Sequence, residues 1–257
     1  MTSFSLKLFA VIAMTLDHIA KIIGQAGLMA AFPGLSMTAS SDIIHLMDGI
    51  GRIAFPLYAF MIAEGAARTR SMLRYIGRLM LFAVISEPFF YFAFHRVELT
   101  WGGFLDNLSR WNLSNVFVTL TLGAVAVFCY QLLAQSACKK RLLVFVPVCG
   151  LLAFVGQYVG CDYGAAGILL IAALYLAKTK QQKIAVILIW SLWLYIVSYG
   201  VYVSAYNVME GVCAALSGVL IWFYNGKRGR QVKWSFYIYY PAHLLVLILL
   251  GRLSSAA

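Results

Sequence analysis

Eight ionisable residues stand inside otherwise apolar stretches of the chain: Asp17, His18, Lys21, Arg52, Glu64, Glu87, Glu210 and His243. Such a set can do acid–base chemistry. Histidine titrates near neutral pH and can take or return a proton, and a carboxylate can orient the ring and stabilise its cation. A guanidinium can stabilise a developing negative charge. The same residue types also build proton relays in membrane proteins. The two readings imply an enzyme or a proton-coupled small-molecule transporter. A charge at bilayer depth costs at least ~2.5–3.5 kcal/mol on insertion scales, so each of these residues needs a reason to be there.

The elements that must position them follow from composition. Of 257 residues, 63% are hydrophobic and 11% charged, against about 45–50% and about 25% in a soluble domain. The sequence therefore predicts an all-α polytopic integral membrane protein, a single unit over residues 1–257. Nine apolar spans are expected at 4–25, 47–66, 73–94, 114–134, 141–158, 163–177, 184–200, 205–224 and 235–252. The first carries Asp17, His18 and Lys21 and has no small-residue cleavage site, so it reads as a spanning helix rather than a signal peptide. Residues 26–46 read as a long loop, with a short surface helix at 41–48. Residues 95–113 read as a second loop with Trp101 and Trp111 suited to the interface. No internal repeat of the kind seen in inverted-topology transporters is visible.

The net charge of +11 is organised by loop. Arg68, Arg70, Arg74, Arg78, Lys139, Lys140, Arg141, Lys178, Lys180, Lys183, Lys227, Arg228, Arg230 and Lys233 fall in one alternate set, with no acidic residue among them. The other set holds Asp42, Asp48, Glu98, Asp106 and Asp162, with Arg96 and Arg110. That pattern is membrane topology, not nucleic-acid binding, and it puts the N-terminus in the cytoplasm and the C-terminus outside. The five cysteines are odd in number and contain no CxxC pair, which implies neither a disulfide framework nor a zinc site, and no metal is expected.

This topology sets depth. Asp17, His18, Arg52, Glu87 and His243 share a slab just outside the midplane. A lone intramembrane histidine is commonly an interhelical hydrogen bond, and Arg52 with Glu87 suits an interhelical ion pair. Five such groups at one depth point instead to a shared polar cavity. Glu64 and Glu210 stand near helix ends and read as interfacial charges. Lys7 and His18 are eleven residues apart, close to three helical turns, so they share a face about 16 Å apart along the axis. Met14 and Lys21 flank that stripe.

The segments Leu16-Asp17-His18-Ile19, Gly51-Arg52-Ile53-Ala54-Phe55-Pro56-Leu57, Asn115-Val116-Phe117, Asp162-Tyr163-Gly164-Ala165-Ala166-Gly167 and Phe236-Tyr237-Ile238-Tyr239-Tyr240-Pro241-Ala242-His243-Leu244 run in order along nearly the whole chain. In them the sequence resembles the TraX family, named for a conjugation-plasmid protein that acetylates the N-terminus of pilin. More distantly, the Lys7/His18 spacing is similar to a first-helix motif of membrane acyltransferases that modify cell-surface glycans. Those have Arg where this chain has Lys7, and lysine lacks the bidentate fork.

The resemblance implies a bacterial inner-membrane protein with acetyl-CoA as cytoplasmic donor. It also implies an acceptor peptide, amine or glycan presented from the outer side or within the bilayer. Under it His18 is the expected general base, with Asp17 or Glu87 orienting its ring. Arg52, Asn115 or Tyr163 would stabilise the oxyanion, and His243 would be a second acid–base group or an acceptor contact. Lys7, Arg74 and Arg78 are the expected contacts of CoA, and Asn115, Asp162 and Tyr163 those of the acceptor. Direct transfer and an acetyl-histidine intermediate both stay open.

Overall fold

The computed structural model describes residues 1–95, 100–103, 105, 113–136, 140–230, 232 and 234–256, with side chains through residue 252. Every regular element among them is helical. In chain order these are α1 (Ser3–Ile22), α2 (Gly24–Ala31), α3 (Met37–Gly51), α4 (Ala54–Arg68), α5 (Met72–Phe94) and α6 (Val116–Gln135). They continue as α7 (Arg141–Val159), α8 (Gly164–Leu176), α9 (Lys180–Tyr195), a 3-10 turn (Val197–Tyr202), α10 (Ala205–Trp222) and α11 (Ser235–Ala256). The expected positions of Glu98, Asp106, Arg96, Arg110, Trp111, Lys139 and Lys233 lie outside the described residues.

Short polar side chains start the helices. Thr2 accepts from Ser5 N, Ser36 from Ala39 N and Ser71 from Arg74 N. Thr179 and Ser204 form reciprocal boxes with Gln182 and Asn207. Each cap satisfies an N–H that the first turn leaves unpaired.

The surface is inverted relative to a soluble protein. On α1, Leu8, Phe9 and Ile12 are exposed while Asp17 and His18 are buried. Exposed Leu, Ile, Val and Phe recur on α5, α7, α9, α10 and α11. Apolar side chains outside and charges inside are what a hydrocarbon solvent selects.

Two expectations need correction. Residues 26–46 are not a loop, and 41–48 is not a short isolated helix. Pro33 and Gly34 lie in the brief turn between α2 and α3, and Ser36 caps a fifteen-residue α3 that packs on α1 and α10. With a two-residue break in the helix at Arg52–Ile53, α3 continues into α4, giving one apolar stretch, Met37–Arg68. Second, among the described residues eight helical stretches are long and apolar enough to cross a membrane, and the remaining expected span is a shorter apolar helix. The sixth span is α8, thirteen residues or about 20 Å, against a hydrocarbon core of roughly 30 Å. It needs less length because it lies among α4, α6, α7 and α9, with Ile168, Leu170, Ile171 and Leu174 almost fully buried.

With these eight, α8 is a ninth apolar helix among the described residues. Phe4 packs on Phe236 at the start of α11, with ring centroids 6.0 Å apart, while a side chain at Gly251 would meet Ile22 and Ile23 at the end of α1. The start of the chain and the end of α11 therefore stand at opposite ends of the bundle, which needs an odd number of passes. The end holding Met1, Arg68, Arg78, Lys183 and Arg228 is basic. The other end holds Asp17, Asp48 and Glu210.

Candidate functional site

His18 comes from α1 and His243 from α11, two helices that run parallel. His18 Nδ1 and His243 Nε2 are 2.7 Å apart. The ring planes differ by 9° with centroids 4.9 Å apart. So short an N–N distance with that centroid separation means rings edge to edge in a common plane, joined by an in-plane hydrogen bond rather than stacked face to face. Each residue is 7% exposed. Phe94 and Tyr240 close the sides, their ring centroids 5.3 and 6.0 Å from that of His18. His243 Nδ1 lies 3.0 Å from the Tyr239 carbonyl, one turn back on α11. The two histidines that sequence placed only by depth thus face each other.

Beside them is an ionic cluster. Asp17 Oδ2 takes a hydrogen bond from Lys21 at 2.9 Å and lies 3.9 Å from His18 Nε2. Asp17 Oδ1 lies 3.7 Å from Arg52 Nη1 and has no hydrogen-bond partner in this buried position. Arg52 Nη2 donates to both oxygens of Asp48 at 3.0 Å, and its Nε donates to Glu210 at 2.8 Å. Lys21 reaches Asp48 at 3.6 Å. Gly51 makes this approach possible: a Cβ there would collide with the Asp17 side chain. That is a physical reason for Gly51-Arg52 as a unit, one residue yielding room and the next supplying the cation.

The expected Arg52–Glu87 pair is not formed. Arg52 is occupied by Asp48 and Glu210, and Glu87 serves a helix start. Glu87 accepts from Ser114 N at 2.9 Å, Ser114 Oγ at 2.7 Å, Asn115 N at 3.1 Å and Asn115 Nδ2 at 2.6 Å. A carboxylate among unpaired N–H groups at a helix N-terminus is favoured both by hydrogen bonding and by the helix dipole. Asn115 donates its amide also to the Ala83 carbonyl at 2.7 Å and accepts from Phe117 N at 2.9 Å. These bonds commit the Glu87 carboxylate and the Asn115 amide to fixing α6 on α5, away from a ring-orienting or oxyanion role. Equal depth could not reveal this, because depth says nothing of direction around the helix axis.

Asp162 and Tyr163 form the link into α8. The Asp162 backbone donates to the Ser114 carbonyl at 2.7 Å, and its own carbonyl accepts from Thr119 Oγ1. Tyr163 has φ of 62°, a left-handed conformation uncommon outside glycine. Its ring lies flat on Phe55, centroids 3.7 Å and planes 9° apart. A Cβ at Gly167 would strike Phe55, Thr119 and Tyr163, so glycine permits this packing.

A cavity of about 360 Å³ opens toward the basic end. Lys7, Arg68, Arg78, Arg228 and Arg230 line it there; Met14, Tyr58, Phe117 and Tyr240 line it deeper. Lys7 and Arg78 were expected; Arg74 is absent from the lining, and Arg68, Arg228 and Arg230 are additions. Glu64, expected as an interfacial charge, also lines it and pairs with Arg68 at 2.7 Å and Lys183 at 2.5 Å. Met14 stands one turn before His18, and the Tyr240 ring lies near both imidazoles, 6.0 and 5.5 Å between centroids. The cavity thus points from the basic end toward the histidine pair.

Sequence reasoning missed Asp48, Lys21 and Glu210 as members of the charged site. Asp17/Lys21 and Asp48/Arg52 are both spaced i,i+4, the helical ion-pair spacing, which was a usable signal. Glu210 stood among the ionisable residues of the apolar stretches but read as an interfacial charge, since its place in the cluster depends on α10 packing against α3.

The family model for TraX protein matches residues 3–251. The chain belongs to the TraX family. The match spans the helices that carry both histidines, the ionic cluster and the cavity. Among curated proteins, the probable fimbrial assembly protein FimC, serogroup H1, of Dichelobacter nodosus is similar: 29% identical over 255 residues, covering 96% of this chain and 94% of that protein. No solved structure matches the chain.

Proposed function

We propose that this member of the TraX family is a membrane acetyltransferase of the bacterial inner membrane, taking acetyl-CoA from the cytoplasm and passing its acetyl group to an amine presented from the other side. The observation that carries this reading is the cavity. One end offers five cations, suited to the phosphates of a coenzyme A nucleotide. The apolar deeper lining suits a thin acyl-pantetheine arm, and Tyr240, which lines that deeper part, also packs against His18 and His243. The positive-inside rule makes the basic end cytoplasmic.

On the far side of the histidines, three carboxylates (Asp17, Asp48, Glu210) face two cations (Lys21, Arg52). That imbalance favours one more positive charge, which an ammonium supplies. His18 Nε2 and Asp17 Oδ2 are 3.9 Å apart, close enough for one donor atom to reach both. An amine nitrogen has hydrogens for each; a hydroxyl has one. The acceptor is therefore better read as an amine, such as a peptide N-terminus, than as a glycan hydroxyl. The similarity to a fimbrial assembly protein is compatible with a peptide acceptor.

The test is binding first. Protein purified in detergent is melted with increasing CoA, which should raise the melting temperature by mass action. Arg78→Ser with Arg228→Ser should weaken CoA binding by about a hundredfold, roughly tenfold for each charge-assisted hydrogen bond lost. If CoA and acetyl-CoA leave the melting temperature unchanged at millimolar concentration, the reading fails, and the ionic cluster is better explained as part of a proton-coupled transport path.

A further inference from the structure

Hydrogen-bond polarity fixes which nitrogen of His18 is free. A backbone carbonyl accepts hydrogen bonds and donates none. The Tyr239 carbonyl lies 3.0 Å from His243 Nδ1, so that nitrogen carries hydrogen. A neutral His243 then presents a bare Nε2. Its partner at 2.7 Å, His18 Nδ1, must donate. A neutral His18 is left with its lone pair on Nε2, the atom facing Asp17 at 3.9 Å. The common plane of the rings aligns the His18 donor with its His243 acceptor. Each step forces the next, beginning from one carbonyl that cannot change role.

We propose that His18 acts through Nε2 and that His243, anchored by the Tyr239 carbonyl, is the positioning residue that holds His18 in this tautomer. The part played in acetyl transfer rests on the proposed function; the tautomer does not. In the transfer step the bound ammonium first releases one proton to solvent; the neutral nitrogen then attacks the thioester carbonyl carbon, and its second proton passes to His18 Nε2. The C–S bond breaks, and the CoA thiolate takes that proton and leaves as the thiol. While Nε2 is protonated, Asp17 faces the cation directly. His18 Nδ1–H also points at His243 Nε2, so the charge is shared along the pair. His243 never touches the reacting atoms.

The test uses ¹⁵N-histidine-labelled full-length protein in lipid nanodiscs. The chain has four histidines, His18, His45, His95 and His243; His18→Gln and His243→Gln variants assign the signals. Neutral imidazole in water prefers hydrogen on Nε2. The expected wild-type spectrum shows the opposite for His18 and His243: hydrogen on Nδ1 and a bare, pyridine-type Nε2 in both. In His243→Leu, His18 should revert to hydrogen on Nε2. In His243→Gln, whose side-chain oxygen accepts from His18 Nδ1, the native tautomer should remain.

Rates of CoA release should follow: His243→Leu about a hundredfold down, the scale of a positioned general base, and His243→Gln within a fewfold of wild type. A wild-type His18 carrying its hydrogen on Nε2 overturns the proposal, and this needs no variant to fold. So does a His243→Leu variant that melts like wild type with the His18 tautomer unchanged. Wild type that shows the expected tautomers yet never consumes acetyl-CoA leaves the tautomer assignment standing and removes acetyl transfer.

Discussion

Asp17 shows how one side chain is shaped by its neighbours' types. Its carboxylate is held by Lys21 on its own helix, approached by Arg52, and admitted to that place because residue 51 has no side chain. A methyl group at Gly51 must push α3 off α1 or move Asp17 from its cations. Gly51→Ala should therefore cost about 1–3 kcal/mol, the range for overpacking a fitted contact. The melting temperature in detergent checks this, and an unchanged value would show that the site has room to relax. At this scale the sequence was informative about which residues are unusual and less so about what they touch. Asp17, His18, Arg52 and His243 stand out because charge in an apolar segment is costly. Asp48 does not, because it reads as a loop charge, and Glu210, though it lies in an apolar stretch, reads as a helix-end charge.

Helices here are positioned by a few polar side chains, and Glu87 is the clearest case. It gathers four donors from Ser114 and Asn115 and so ties the start of α6 to the middle of α5. α6 contributes Phe117 and Leu120 to the cavity wall, so its placement decides the cavity's shape. Removing the carboxylate leaves buried donors unpaired. Glu87→Ala should lower stability by roughly 3–5 kcal/mol, with Glu87→Gln between it and wild type; denaturation in detergent gives the order. If Glu87→Ala melts as wild type, Glu87 is free for a direct part in catalysis and the reading as a helix anchor is wrong. The spans themselves were legible from hydropathy because a bilayer demands long apolar helices. What hydropathy could not separate was the helix that crosses in lipid from α8, which crosses inside protein and so needs neither the length nor a lipid-facing side. Nor could it show that α3 continues the second span, since its alternation of Ser, Asp and His with apolar residues resembles a loop.

Across the whole molecule, the proposed function rests on a division of the bundle into two ends with the histidines between. A basic cavity lies toward one end and a carboxylate-rich cluster toward the other, and the start of α1 and the end of α11 stand at opposite ends of the bundle. Reporter fusions in bacteria should place the residue 1 end in the cytoplasm and the residue 257 end outside; the reverse would put the basic cavity on the side without acetyl-CoA and exclude the proposed donor route. The sequence carried this division in its loop charges, because insertion sorts lysine and arginine to one side. The convergence of that cavity on His18 and His243 was not readable, since it depends on α1 and α11 being neighbours. The most direct measurement is CoA release from radiolabelled acetyl-CoA by purified protein offered a panel of peptides and amines, wild type beside His18→Ala. The expected result is turnover with an amine acceptor that His18→Ala abolishes while still binding CoA and melting as a folded protein. Turnover that survives in His18→Ala, or a wild type that releases no CoA with any acceptor, would contradict it.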